Sequence, residues 1–149
     1  MTLKQKVHQH FLSLVKEKIN RLQQVLADLK ETGANETKST AGDKYETALA
    51  MIQIEQDNVR KQLKEMQEQK AILDSLDPLS IAGKAMNGSL VKTNQSWFYM
   101  SVALGKADID DEKIIALSSL SPLGKLLYGK GVGETITFNN VQYLIESII

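Results

Sequence analysis

Residues 12–29 read LSLVKEKINRLQQVLADL, and this stretch decides the fold of the N-terminal half. Its apolar residues fall at Leu12, Val15, Ile19, Leu22, Leu26 and Leu29, in steps of 3, 4, 3, 4 and 3. That spacing keeps one side of an α-helix apolar and is the seam of a coiled coil. Lys16, Glu17, Lys18, Arg21 and Asp28 fall off the seam, on a face suited to water. The pattern predicts a helix from about Leu3 to Thr32, about 45 Å long at 1.5 Å per residue. Gly33 follows the last seam position and is the expected stop.

Downstream, Gly33 to Gly42 has no periodicity and many turn formers, and is expected to be a loop. A second helix is expected to open near Asp43. Its seam runs through Tyr45, Ala48 and Ile52, then Val59, Met66 and Leu73 at seven-residue steps. Glu55, Gln62 and Gln69 occupy alternate slots, which weakens this seam, while Leu49, Leu63 and Ile72 add apolar margin. Pro78 ends the helix, because proline cannot continue one and disfavours helical geometry in the residue before it. Two long helices joined by a short loop pack antiparallel. A parallel coiled-coil dimer is the rival arrangement, but the hairpin buries both seams within one chain.

Beyond Pro78 the texture changes. Short β-prone runs at Val91, Trp97–Leu104, Ile114–Leu117, Thr135–Phe138 and Val141–Ile148 are separated by polar or glycine-bearing turns. Asn139-Asn140 reads as a tight hairpin turn, since Asn tolerates positive φ. One short helix interrupts the strands, with Ser121 as N-cap, Pro122 at its first position and Gly129 as its stop. Trp97, Phe98, Tyr99, Tyr128, Phe138 and Tyr143 lack interleaved basic residues, so a core is the better reading than a base-stacking platform. The expected fold class is α+β, with a helical coiled-coil hairpin in residues 1–76 and a small β-sheet domain with one short helix in residues 77–149.

Composition limits the function. The 149 residues carry 18 Lys+Arg and 18 Asp+Glu, so the formal net charge is zero. Broad electrostatic adhesion to nucleic acid or anionic lipid is not expected. Cysteine is absent, which excludes disulfides, thiolate zinc sites and cysteine nucleophiles and fits a cytoplasmic location. The N-terminus shows no signal-peptide core, and no apolar run approaches the ~20 residues that cross a bilayer.

The candidate site is the acid pair Asp43 and Glu46. At a spacing of three on a helix, both side chains lie on one face. Two such carboxylates can take two positions around Mg²⁺, leaving the rest to water and phosphate. They also approximate a capping box, and acids favour helix N-termini in any case. On spacing alone the cap is the better reading, though a capped helix start would also hold the carboxylates in place. Gly129-Lys130-Gly131-Val132-Gly133 lacks the spacing of a phosphate loop and reads as a turn. His8 and His10 lack a neighbouring third ligand and read as surface or hinge residues. No Ser-His-Asp set is recognisable.

The stretch Ser121-Pro122-Leu123-Gly124-Lys125-Leu126-Leu127-Tyr128-Gly129-Lys130-Gly131-Val132-Gly133-Glu134-Thr135-Ile136 resembles the signature of the Gre family of bacterial transcript cleavage factors. That signature runs roughly S-P-x-G-x-A-L-x-G-K-x-x-G-D-x-V. Gly105-Lys106-Ala107-Asp108 is similar to the family's acidic strand and turn ahead of it. Gly42-Asp43-Lys44-Tyr45-Glu46-Thr47-Ala48 is similar to the family's hairpin tip, roughly G-D-L-x-E-N-A-E-Y. The tip departs from that pattern at Lys44, Tyr45 and Thr47, and Glu134 stands where Asp is common.

The resemblance implies a helical hairpin followed by a domain of FK506-binding-protein-like fold. It implies RNA polymerase as partner, with nucleic acid met only inside that complex, no membrane contact and a monomeric chain. It also implies that Asp43 and Glu46 enter the polymerase's secondary channel and help hold its second catalytic Mg²⁺, so that backtracked RNA is hydrolysed. No cofactor would then be bound by the chain alone, and the chain would be an accessory factor and not itself an enzyme. A non-catalytic channel binder that regulates or inhibits the polymerase is the alternative. A stand-alone prolyl isomerase would be suggested by fold alone, and fold does not carry function.

Overall fold

The computed structural model describes residues 1–39 and 43–149, with side chains described for all of these except 36–39 and 43–45. Two long helices come first, α1 (Leu3–Ser39) and α2 (Asp43–Ser75). Six strands and one short helix follow: β1 (Leu90–Thr93), β2 (Trp97–Met100), β3 (Gly105–Ile109), β4 (Glu112–Leu117), α3 (Pro122–Leu127), β5 (Thr135–Phe138) and β6 (Val141–Ile148). The class is α+β, a helical hairpin followed by a small sheet domain with one short helix. The chain forms two compact units, Leu14–Lys70 and Met1–Ser13 together with Ala71–Ile149. The junction between Leu76 and Asp77 lies inside the second of these.

In the unit Leu14–Lys70 the helices run antiparallel. A Cβ on Gly33 would sit 3.7 Å from Ile52, while Leu22 lines the same cleft as Gln62 and Met66. The seam expected from the apolar spacing is visible as Val15 and Ile19 buried, and Leu22, Leu26 and Leu29 half-buried. On α2, Val59 is buried, and Ala48, Ile52 and Met66 are half-buried. Glu55 and Gln62 are exposed, and the Oε1 of Gln69 is sealed from solvent without a hydrogen-bond partner among the described residues. The polar slots thus leave their mark as imperfect closure. Beside Gln62 and Met66 a cleft of about 290 Å³ opens between the helices, its α1 wall formed by Lys18, Arg21 and Leu22.

The loop expected from Gly33 to Gly42 is corrected: α1 continues to Ser39. Gly33 does not take the left-handed conformation that a C-terminal stop requires. It stays helical, with Ile52 of the facing helix against it at ordinary contact distance. Residues 40–42 lie outside those described.

In the other unit the sheet order is β3-β4-β2-β1-β6-β5, with β2 and β4 parallel and every other neighbouring pair antiparallel. Register separates two faces. Val91↔Phe98, Phe98↔Ile115 and Met100↔Leu117 share one face, and with Leu127, Ile136 and Ile145 they build the core beneath α3. Leu90↔Tyr99 and Tyr99↔Ala116 share the opposite face, which the first turns of α1 cover: Phe11 stacks on Tyr99 with ring centroids 6.4 Å apart. Val7 and Phe11 are fully buried while Leu12 is only half-buried, so the seam read from Leu12 gives way here to one stepping by four.

The run expected to be one strand from Trp97 to Leu104 is also corrected. β2 ends at Met100, Ser101 donates a last backbone hydrogen bond to Leu117, and the chain turns at Gly105, whose φ is 80°. β3 then pairs with β4 through a two-residue turn, Asp110-Asp111, with φ of 52° and 62°. The Asn139-Asn140 turn, expected from its residues, has the same form, with φ of 50° and 63°. Double positive φ matches the twist of a two-residue hairpin, and Asp and Asn tolerate it better than most residues. Of the aromatic residues, Phe98 and Tyr99 are buried and Trp97, Phe138 and Tyr143 half-buried, but Tyr128 is 51% exposed.

Candidate functional site

Asp43 is the first residue of α2 and Glu46 lies in the same first turn. α1 ends at Ser39, so both acids stand at the end of the hairpin where the chain reverses. With 33 and 37 residues in the two helices, that end lies about 50 Å along each of them. Glu46 is exposed to solvent. The side chain of Asp43 lies outside those described, and with it the expected capping interaction. Among the described residues no group of three His, Asp or Glu could hold a metal ion. Two carboxylates supply two ligands of an octahedron, which suits an ion shared with another molecule better than one held by this chain alone.

The glycine-bearing stretch that carries the family resemblance is a packing device. The Ser121 hydroxyl accepts from the Gly124 N–H at 3.1 Å and donates to the Ser118 carbonyl oxygen at 2.6 Å. Pro122 opens α3, as expected. A Cβ at Gly124 would lie 2.0 Å from the Ser118 carbonyl oxygen, so no side chain fits there. Gly129 turns the chain out of the helix at φ 81°, and its N–H donates to the Ala85 carbonyl at 2.7 Å, while Ala85 donates back to Lys130. The Glu134 carboxylate accepts from the Gly131 N–H. The N–H groups of Gly129, Lys130, Gly131 and Gly133 are thus bonded within the protein itself, consistent with a turn and not a phosphate cradle.

His8, expected to be a surface or hinge residue, is not at the surface. It is 8% exposed, and its Nδ1 lies 2.7 Å from the Tyr99 hydroxyl. Burial pushes the imidazole below its ordinary range and Lys4 adds to the fall, while Asp74 and Asp77 pull it partly back. Burial also raises the Tyr99 phenol, which keeps its proton. Lys4 is lowered by burial, against the pull of Asp77, and donates to the Ser80 carbonyl oxygen at 2.6 Å. Sequence reasoning missed this polar group because its helix spacing points to it only once the seam is extended back through Phe11 and Val7. His10 is exposed and sets its ring edge against Phe11.

No protein-family model matches the chain, and no curated protein matches it. Among solved structures it is similar to that of the transcription factor Gfh1, at 16% sequence identity over 92% of each chain, with a TM-score of 0.37. At that score the likeness carries no weight for function. Among the described residues no helix is long and apolar enough to cross a membrane.

Proposed function

We propose that the chain is a Gre-like transcription factor of the cytoplasm that binds RNA polymerase as a monomer and lends it the carboxylates of Asp43 and Glu46. The reading is carried by the position of that pair: both acids open α2 at the reversal of a hairpin whose helices are about 50 Å long. The residue resemblance at Ser121–Ile136 supports it. The chain is an accessory factor in this reading, and the polymerase performs the chemistry.

Inserted into the secondary channel, Asp43 and Glu46 would occupy two positions around the second Mg²⁺ of the polymerase centre, with RNA phosphate, water and polymerase ligands completing the shell. Such an ion supplies Lewis-acid activation of water and of the scissile phosphate. The contribution of this chain is positional. Asp43 and Glu46 stand three apart in the first turn of α2, a spacing that sets two residues on one side of a helix, and the length of the hairpin carries that turn to a buried centre.

The test is RNA shortening in a backtracked polymerase complex with Mg²⁺ present. Asp43→Asn should abolish stimulated cleavage and leave polymerase binding intact. Stimulation by Asp43→Asn equal to that of the unaltered chain would remove the tip from the chemistry. Lys44, placed between the two acids, favours a second reading in which the same insertion regulates or inhibits the polymerase without cleavage. Polymerase binding with no shortening of RNA by the unaltered chain would select it.

A further inference from the structure

Lys4 is 5% exposed, and lysine is seldom buried so deeply without an anionic partner. Its ammonium has three N–H donors. Among the described residues one acceptor is found for it, the Ser80 carbonyl oxygen at 2.6 Å, and no carboxylate lies within ion-pair distance. Asp77 acts on Lys4 by its charge from beyond that distance, and its own hydrogen bonds are local: its Oδ1 accepts from the Leu79 N–H at 2.9 Å, and its carbonyl oxygen accepts from the Ser80 N–H and hydroxyl. The turn Asp77–Ser80 is therefore held by its own hydrogen bonds, and the atom it places in hydrogen-bond contact with the buried cation is the Ser80 carbonyl oxygen.

Lys4 also lines a cleft of about 210 Å³, together with Thr2 and Ser80 and with the apolar Pro78, Leu79, Ile81 and Ile149. Leu79 and Ile81 are 66% and 81% exposed. A concave apolar surface with one convergent charged group is the usual form of a small-molecule site. This cleft is smaller than the ~300 Å³ at which drug-sized sites begin, so a fitting ligand has few carbons.

We propose that this cleft binds a short, branched aliphatic monocarboxylate. Its carboxylate takes the donors of Lys4 that Ser80 leaves free, forming charge-assisted hydrogen bonds, which are stronger than neutral ones. Its hydrocarbon tail covers Pro78, Leu79, Ile81 and Ile149. The occupant is a free small molecule, not a segment of protein, because the cleft has room for one branched tail and its single cation matches one carboxylate. The inference stands on Lys4 and its surroundings and does not depend on the polymerase reading.

The experiment titrates 4-methylpentanoate into the full chain and follows the backbone amide resonances of Leu79, Ser80 and Ile81, with calorimetry in parallel. Two probes separate the contributions: 4-methylpentanamide keeps the shape without the charge, and acetate keeps the charge without the tail. Saturable shifts with the carboxylate, at least tenfold weaker affinity for both probes, and loss of binding in Lys4→Met are expected. Absence of saturable shifts with 4-methylpentanoate, or equal affinity for carboxylate and amide, overturns the site and leaves Lys4 as a tie between α1 and the Asp77–Ser80 turn. Should Lys4→Met fail to fold, the comparison of carboxylate with amide on the unaltered chain decides between these outcomes.

Discussion

The Tyr99 hydroxyl lies 2.7 Å from the Nδ1 of His8, a residue 91 positions earlier in the chain, and both are buried. The contact joins the first turns of α1 to the sheet face opposite α3. A buried hydrogen bond of this kind makes stability depend on pH. Burial lowers the folded-state value of His8, so the unfolded chain binds the proton first. The stability tied to neutral His8 is fully present above the unfolded value, about 6.5, and is lost as pH falls from there through the folded value. Urea unfolding between pH 8 and pH 5 should show falling stability over that window, with a shallower fall in His8→Gln. Tyr99→Phe should cost about 1–3 kcal/mol at pH 7.5, because it leaves a buried ring nitrogen without its partner.

Two glycines should respond in opposite directions. Gly124→Ala places a methyl group 2.0 Å from the Ser118 carbonyl oxygen, a backbone atom that cannot step aside without moving the Ser118–Ser121 turn. It should destabilise the fold by roughly 3 kcal/mol or more, within the range seen for overpacking and broken caps together. Gly33→Ala meets, among the described residues, only Ile52, at 3.7 Å, in a helical position. It should be neutral or stabilising by about 0.5–1 kcal/mol, since alanine restricts the unfolded chain and favours helix. Thermal unfolding of the two variants side by side distinguishes the steric glycine from the dispensable one.

Gln69 is the weak slot of the α2 seam, its Oε1 buried and without a hydrogen-bond partner among the described residues. Gln69→Leu removes the unsatisfied atom and adds apolar contact at nearly the same volume. Denaturant titration should show a gain of about 1–2 kcal/mol. If stability is unchanged or falls, the carbonyl oxygen is satisfied in solution.

Much of this architecture is already present in local spacing. The 3-4 steps from Val15 to Leu29 give the α1 stripe that lies half-buried or buried in the hairpin, and Ser121-Pro122 with Gly129 bounds α3. Asn139-Asn140 turns where its residue types say it should. These features depend on neighbours within a few residues, where rotamer, φ preference and capping chemistry act without help from the rest of the chain. Asp110-Asp111 is the same kind of turn, legible in principle from two acids between β-prone runs, yet hard to single out because Asp more often marks an open loop.

The rest was decided by contacts between residues distant in sequence. Gly33 reads as a stop by itself, yet it stays helical with Ile52 of the opposing helix against it. His8 reads as a surface or hinge residue, yet the sheet face bearing Tyr99 buries it, and Lys4, which no local pattern singles out, is buried with its ammonium on the turn at Ser80. The acid pair divides the same way. Sequence spacing alone set Asp43 and Glu46 three apart on one turn, because helical periodicity is local. Their place at the reversal of two long antiparallel helices depends on packing between α1 and α2, which no single segment specifies.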